Sequence, residues 1–275
     1  MATVNLELES RPESLTLVRG VLTGVADLLG FDAELVNNLK TVVSEACNNV
    51  VLHAYDGEAG PLAVGLEIAP DGLEAIVRDH GRGIRNVTPS EDQLHVGLAV
   101  ISAIADRAHF VRAPDGGTEV RMAFTGRPEI RTPVRTVDTE PGEDVPVELS
   151  GDAVVTVSPV GLLAGVLGRL ATALAAHAHF SLDRFCDVYL VTDAIVAHAE
   201  SAASGDRLSV AVAAADRRLE LAVGPFRSGS AARLRADAGS GRLGSALSLL
   251  DVDLAVEPIE TAEVWRMVVL DESAA

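Results

Sequence analysis

Two stretches of the sequence decide the fold: VVSEACNNVVLHAY at residues 42–55 and VRDHGRGI at residues 77–84. In the first stretch Glu45, Asn49 and His53 recur every four residues. On a helix, this spacing places a carboxylate, a carboxamide and an imidazole on one face. The residues between them are mostly apolar, which predicts that the rest of the helix is buried against a sheet. The pattern therefore predicts a helix whose polar face lines a site. For His53 a structural role is favoured over a catalytic one.

The second stretch places a carboxylate at the end of a strand. A β-branched run leads into Asp79, and glycines follow at Gly81 and Gly83. A strand end delivers a side chain to a pocket rim, and glycine lets the backbone approach a ligand closely. Taken alone, Asp79 could be a turn-forming aspartate, and Glu45 and Asn49 could belong to a solvated stripe. Taken together, the two stretches predict a ligand site between the helix and the strand end.

Length and composition favour two soluble domains. A chain of 275 residues exceeds one typical domain, and 48% hydrophobic residues with 3% aromatics predict cores of Ala, Val and Leu. The formal net charge is −18, and Lys40 is the only lysine, so no basic stripe could neutralise nucleic-acid phosphates. Nucleic acid is therefore a poor candidate partner.

The cysteines and the apolar segments indicate a cytoplasmic protein. Cys47 and Cys186 lie in separate apolar patterns and are interpreted as buried thiols rather than as a disulfide or a metal pair. The first ten residues show no secretory signal. The most apolar segment begins at Val160 and carries Arg169 at its centre, which favours a core helix over a membrane span.

The first half predicts an α+β fold. Its pattern gives a strand, two helices, a hairpin around APDG at residues 69–72, a helix from about Val96 to Ala105, and a second hairpin around APDGG. Helices bunched on one face of a largely antiparallel sheet form a two-layer α/β sandwich. We expect domain boundaries at residues 1–126 and 147–275, because residues 127–146 are rich in proline and charge and are typical of a linker.

The second half repeats the pattern of the first. VPVELSGD corresponds to VNLELESR, FCDVYLVTDAIVAHA to the helix with the polar face, and AEVWRMVV to TEVRMAF. The repeat keeps the fold pattern and changes the chemistry. At the positions of Glu45 and Asn49 this comparison places Asp193 and an apolar residue near Ala197, and at the position of Asp79 it places Gly224. The second domain is therefore predicted to be a degenerate copy.

Three motifs of the first half resemble those of the GHKL (histidine kinase/HSP90-like) ATPase superfamily. SEACNN with the downstream HAY resembles its N box, DHGRG its first glycine box, and HVGLAVI its second glycine box. The resemblance covers about Leu6 to Phe124 and is closest to the anti-sigma-factor serine kinases. It implies a Bergerat-type sandwich with a mixed sheet, present here in tandem.

The resemblance also implies roles for individual residues. Asp79 would accept a hydrogen bond from the adenine amino group, with Gly81, Gly83, Gly97 and Thr118 contributing further contacts to the nucleotide. Asn49 would bind Mg²⁺ as well as nucleotide, and Glu45 would act as the catalytic base. These roles suit the residue chemistry, since a carboxylate accepts hydrogen bonds and Mg²⁺ prefers oxygen ligands. Gly116 and Gly117 are most simply hairpin-turn glycines.

The implied function is that of a bacterial anti-sigma-type regulator. It would bind ATP and Mg²⁺ and act as a protein serine/threonine kinase on an anti-anti-sigma partner of the STAS type, and a sigma factor is a further possible partner. Because the chain holds two copies of the fold, we expect a monomer that acts as an intramolecular pseudo-dimer. The alternative is a catalytically inactive pseudo-dimer that binds proteins. Two features favour it: His95 stands in the place of a glycine, and the lid at Ile84–Val96 is short.

Overall fold

The computed structural model describes residues 1–83, 94–113, 116–126, 145–236 and 252–272. The chain divides into two compact units, Met1–Thr132 (unit 1) and Pro133–Ala275 (unit 2). Most of the predicted linker lies outside the described residues, so the predicted domain limits at residues 126 and 147 stay predictions. Each unit is described separately below.

Unit 1 alternates strands and helices in the predicted order. Its elements are β1 (Ala2–Glu9), α1 (Ser14–Leu29), α2 (Ala33–His53), β2 (Pro61–Ala69), β3 (Gly72–Asp79), α3 (Leu94–Ile104), β4 (Arg107–Arg112) and β5 (Thr118–Thr125). The third helix begins two residues earlier than the sequence pattern predicts. The first hairpin closes at the pair Ala69 and Gly72, as the APDG turn predicts.

The sheet of unit 1 has the strand order β4-β5-β3-β2-β1. All four neighbouring pairs are antiparallel, so the expected mixing of strand directions is not observed among the described strands. For β1 and β2 the reason is the pair of helices between them. The chain runs along α1 and returns along α2, so β2 enters the sheet at the end where β1 left it and runs in the opposite direction. Burial alternates along β2 and β3, and α2 packs against β3 and β5 on the buried face. The result is the expected two-layer α/β sandwich.

Helix α2 has clear start signals. Asp32 is its N-cap, and the Asp32 carboxylate accepts a hydrogen bond of 2.8 Å from the Leu35 amide. The preceding helix α1 ends at Gly30, which has a φ of 71° and a backbone amide that donates to the Ala26 carbonyl. These caps leave a short connection, so α1 and α2 pack against each other.

Unit 2 has the same order of described strands and helices. Its elements are β6 (Ala153–Ser158), a 3₁₀ turn (Val160–Leu162), α4 (Leu163–His177), α5 (Leu182–Ala202), β7 (Leu208–Ala215), β8 (Arg218–Arg227), α6 (Ser230–Ala236), β9 (Leu254–Ile259) and β10 (Ala262–Leu270). The sheet order is β6-β7-β8-β10-β9, again antiparallel between neighbours. Whether unit 2 is a degenerate copy in the evolutionary sense stays a prediction.

The apolar segment Val160–His177 is long and apolar enough to cross a membrane by length and composition alone. In the structure it forms the 3₁₀ turn and α4, which pack against α5 and β7. Leu163, Val166, Leu167 and Leu170 are at most 1% exposed. The segment is thus a core helix of unit 2, as its composition predicts.

The segment 145–150 differs from expectation. VPVELSGD was predicted to supply the first strand of the second half, but this strand begins only at Ala153. Val147 and Leu149 instead pack against a buried cluster formed by Ala211, Ala222 and Val264. The cluster is apolar, so Val147 and Leu149 remove apolar surface from water by covering it.

Removal of the α2 N-cap provides a test of this local structure. Asp32→Ala leaves the Leu35 amide without its acceptor and should destabilise the first turn of α2 by about 1 kcal/mol, a roughly fivefold rise in local hydrogen exchange. Hydrogen-exchange mass spectrometry of peptides covering residues 33–40 measures the effect. Asp32→Asn, which can still cap the helix, is the matched control. Equal protection in Asp32→Ala and wild type would contradict the assignment of the cap.

Candidate functional site

The polar face of α2 forms one wall of the candidate site. Val42, Val43 and Cys47 are completely buried under the helix, whereas Glu45 and Asn49 are only partly buried. His53, the third residue of the predicted face, is exposed. Burial raises the pKa of the Cys47 thiol to about 12, so this cysteine is a protonated core residue and not a nucleophile.

Helix α3 brings Gly97 directly against two of the predicted site residues. A methyl group built on Gly97 would overlap the Glu45 carboxylate, at 3.1 Å from Cδ, and would lie 3.3 Å from Asn49 Nδ2. The overlapping atoms are the ends of two side chains, so a larger residue at position 97 would displace the Glu45 carboxylate, and glycine leaves room for it in this position. The structure therefore brings Glu45, Asn49 and Gly97 together, as the sequence predicts.

Asp79 lies at the end of β3 and is only 3% exposed. Its Oδ1 accepts a hydrogen bond of 2.8 Å from the Gly81 amide. Among the side-chain hydrogen bonds of the described residues this is the one that the Asp79 carboxylate makes, which leaves Oδ2 as the acceptor for a ligand donor. A buried carboxylate with one oriented oxygen suits recognition of an amine.

Glycines allow three close backbone approaches around Asp79. A Cβ on Gly81 would overlap the carbonyl of Ala54 at the end of α2, and a Cβ on Gly117 would overlap the carbonyl of Asp79. Gly83, with a φ of 72°, lies beside the Gly117 carbonyl, which would be 2.9 Å from a Cβ at that position. Gly117 was expected to be a simple turn glycine. Its φ of 76° suits a turn, but its lack of a side chain also lets the backbone before β5 pack against the Asp79 carbonyl.

Thr118, the first residue of β5, lies next to Asp79 in the sheet. Arg78 pairs with Glu119, so the next step of the antiparallel register places Thr118 opposite Asp79. The predicted contact residue on β5 and the predicted base reader on β3 are therefore neighbours. Together they line the same edge of the sheet.

Tyr55 anchors the Asp79 loop and was not singled out by the sequence analysis. The Tyr55 hydroxyl donates to the Pro61 carbonyl at 2.6 Å and accepts from the His80 amide at 2.8 Å. Burial raises the pKa of this hydroxyl, and the negative charge of Asp79 adds to the rise, although the His80 hydrogen bond acts against it. The signal was present in the HAY tripeptide, but only the fold shows that its tyrosine reaches the loop.

Further contacts hold the loop on the end of α2. The Arg82 amide donates to the Ala54 carbonyl at 3.1 Å, and the Arg82 guanidinium forms an ion pair with Asp56. Both side chains of this pair are about half exposed, so its contribution to stability is small. The loop geometry depends more on the hydrogen bonds and glycine contacts than on this charge pair.

Two features of the expected site lie outside the described residues. Residues 84–93 account for most of the expected lid, and the side chain of His95 at the start of α3 is likewise not described. The described part of the site consists of the α2 face, the Asp79 loop, Gly97 and Thr118.

Comparison with known proteins matches the part of the chain that forms the candidate site. The model of the histidine kinase-like ATPase domain matches residues 8–124. The serine-protein kinase RsbW of Bacillus pumilus is 33% identical over 144 residues, which cover 46% of this chain and 88% of that protein. The RsbW of Oceanobacillus iheyensis is 38% identical over 79 residues, which cover 50% of that protein's length.

Among solved structures, the RsbU and RsbW domains of Rv1364c from Mycobacterium tuberculosis align with 45% of this chain and 33% of that chain. The sequence identity is 25% and the TM-score is 0.36. The family assignment rests on the sequence matches, which cover the elements that form the described site. The chain therefore belongs to the histidine kinase-like ATPase family, as a relative of the RsbW serine-protein kinases.

Proposed function

We propose that unit 1 binds ATP with Mg²⁺ and transfers the γ-phosphoryl group to a serine of a partner protein, as an anti-sigma-type regulatory kinase. The observation that carries the proposal is the contact of Gly97 with the side chains of Glu45 and Asn49, in a unit that also holds the buried carboxylate of Asp79 at the end of β3. The relatives are named serine-protein kinases, which supports serine as the acceptor.

Asp79 recognises the adenine base in this proposal. Its Oδ1 is held by the Gly81 amide, so Oδ2 accepts a hydrogen bond from the exocyclic amine of adenine. Gly81 and Gly117 keep the backbone on either side of the carboxylate free of side-chain bulk. Thr118 contributes a hydroxyl at the same edge of the sheet.

Asn49 and Glu45 serve the phosphate end of the nucleotide. The amide oxygen of Asn49 is the type of neutral oxygen ligand that Mg²⁺ accepts beside phosphate oxygens and water, so the residue chemistry fits the ion. When bound, Mg²⁺ would neutralise charge on the phosphates. Glu45, one helical turn earlier, accepts the proton of the attacking serine hydroxyl. Gly97 leaves space at the carboxylate so that it keeps this position.

The partner that we propose is an anti-anti-sigma protein of the STAS type, and a sigma factor is a second partner of the same regulator. The test combines the purified chain, ATP labelled at the γ-phosphate, Mg²⁺ and a STAS-type protein encoded by the same genome. Label on a serine of the STAS protein is the expected result. Complex formation without transfer of label would favour a catalytically inactive binding module.

Asp79→Asn tests base recognition. One acceptor oxygen becomes an NH₂ donor that faces either the Gly81 amide or the adenine amine, so nucleotide affinity should fall by about 1–3 kcal/mol. Isothermal titration with ADP or ATP measures the change. Asp71→Asn, the same substitution at the exposed opposite end of the β2–β3 hairpin, should leave affinity unchanged. An Asp79→Asn affinity equal to that of wild type would sink the assignment.

Glu45→Gln and Asn49→Ala separate catalysis from metal binding. Glu45→Gln keeps the size of the side chain but cannot accept the proton, so phosphoryl transfer should fall by roughly 10²–10⁴-fold while nucleotide affinity stays close to wild type. Asn49→Ala should instead remove the gain in affinity that Mg²⁺ gives. Glu34→Gln, on the exposed first turn of α2, is the control. If both site variants lose nucleotide binding equally, the two roles are wrongly divided.

Gly97→Ala tests the contact between α3 and α2. The added methyl group overlaps the Glu45 carboxylate, which must then move, so phosphoryl transfer should fall at least tenfold (about 1.4 kcal/mol of transition-state stabilisation). Ser102→Ala, on the exposed side of α3, is the matched control and should retain turnover. Full activity in Gly97→Ala would show that the position of the Glu45 carboxylate does not depend on this glycine.

A further inference from the structure

Three rings of unit 2, from Phe226, Trp265 and His198, contact one another between α5 and the sheet. Trp265, the only tryptophan of the chain, and Phe226 are completely buried, with ring centroids 4.1 Å apart. The His198 ring from α5 stacks on the indole at 5.4 Å and 30°. Burial lowers the pKa of His198, so the imidazole that meets the indole is neutral near pH 7.

Strand register shows which residue of unit 1 corresponds to Trp265. The hairpins of the two units close at Ala69 with Gly72 and at Ala215 with Arg218. Five residues after the closing position, Val77 pairs with Val120 in unit 1, and Val223 pairs with Trp265 in unit 2. Val120 and Trp265 therefore occupy the same place in their sheets.

Helix register shows which residue corresponds to His198. Helices α2 and α5 are both 21 residues long, and Asn49 and His198 hold the same position counted from the first residue. By the same count Ala194, not Asp193, takes the place of Glu45. The sequence comparison had placed these equivalents one residue earlier. By these two registers, the residues of unit 2 that stack on each other, His198 and Trp265, correspond to Asn49 and Val120 of unit 1.

The indole also makes a hydrogen bond to a buried carboxylate. Trp265 Nε1 donates to Glu263 Oε1 at 2.9 Å, and the same carboxylate accepts from the amides of Gly229 at 2.8 Å and Ala231 at 2.6 Å. Burial acts to raise the pKa of Glu263, but these hydrogen bonds outweigh it and hold the pKa below its usual range. Glu263 is therefore an ionised acceptor that faces an N–H donor on a fused ring.

We propose that unit 2 contains a purine-shaped site that one of its own side chains fills. The Trp265 indole occupies the space that the adenine base occupies in unit 1. Indole and adenine are both fused five- and six-membered rings, and each donates an N–H to a carboxylate. The acceptor is Glu263 on β10 in unit 2 and Asp79 on β3 in unit 1. The counterpart of Asp79 by strand register is Pro225, one residue after the Gly224 of the sequence comparison, and proline supplies no acceptor side chain. The identity of the base position in unit 1 rests on the proposed function.

A swap of the two equivalent residues tests the proposal. Trp265→Val gives unit 2 the side chain that unit 1 has at this position and removes the indole N–H from Glu263, whose carboxylate keeps its bonds to the Gly229 and Ala231 amides and can accept from a ligand in place of the indole. Equilibrium dialysis of the whole chain against labelled adenine should then show one more bound adenine per chain than wild type. Trp265→Phe, which keeps a ring in the space, is the control and should show no gain. No gain in folded Trp265→Val would overturn the proposal.

The reciprocal variant, Val120→Trp, gives a readout that does not require the unit 2 variant to fold. The added indole should fill the base space of unit 1 and lower ATP affinity at least tenfold, whereas Val120→Ile should bind like wild type. Circular dichroism and a melting curve check that the chain is folded. Undiminished ATP binding in folded Val120→Trp would overturn the equivalence of the two spaces.

The Trp265→Val and Val120→Trp experiments distinguish the filled site in unit 2 from the function proposed for unit 1. If wild type binds no adenine or ATP, the proposed function of unit 1 is wrong, yet a gain of one adenine in Trp265→Val still supports the filled site in unit 2. If indole stabilises Trp265→Val against heat and adenine does not bind, the space is an ordinary cavity left by a core tryptophan and the proposal is wrong.

Discussion

The candidate site depends on the packing of α2 against the sheet of unit 1. Val42, Val43 and Cys47 are completely buried on the inner side of this helix, and burying a side chain of this size contributes about 1.5–3 kcal/mol. Since neighbouring residues on a helix are 100° apart, a rotation that moved this apolar face would force Glu45 into the core as an unpaired charge. The hydrophobic effect thus sets the direction in which Glu45 and Asn49 point.

A second constraint is the close approach of backbone segments at the end of α2. Gly81 lies on the Ala54 carbonyl, Gly117 lies on the Asp79 carbonyl, and the Tyr55 hydroxyl accepts from the His80 amide. These contacts hold the loop after β3 against the helix that carries the polar face. The carboxylate of Asp79 and the side chains of α2 are therefore positioned by backbone packing, which loses less side-chain entropy than positioning by long charged residues would.

Comparison of the two units shows that the same fold can be kept while its chemistry changes. Both sheets have the same register at the position of Val120 and Trp265, and both long helices have the same length. The core needs apolar side chains that fill the available volume, and in unit 2 the buried Trp265 contributes to filling it. Unit 2 has other residues at the positions that correspond to Glu45, Asn49 and Asp79, yet the same order of described strands and helices.

The sequence by itself determined the α+β fold and the order of the elements, and it predicted the residues of the candidate site. Period-four spacing identified the polar face of α2, glycines and β-branched runs identified the hairpins, and the three motifs identified the family. These signals are local, because each depends on residues a few positions apart. The described residues place Gly97 on the α2 face as the sequence predicts.

Only the tertiary structure decided which distant residues meet. It showed that Tyr55 anchors the loop, that Gly117 seats on Asp79, that residues 145–150 cover the unit 2 cluster instead of forming a strand, and that Trp265 stacks on His198. A period or a motif records the residue type at each position, but it does not record distances between segments that are far apart in the chain. Those distances follow from how the helices and strands pack, and packing depends on the volume and shape of all the side chains at once.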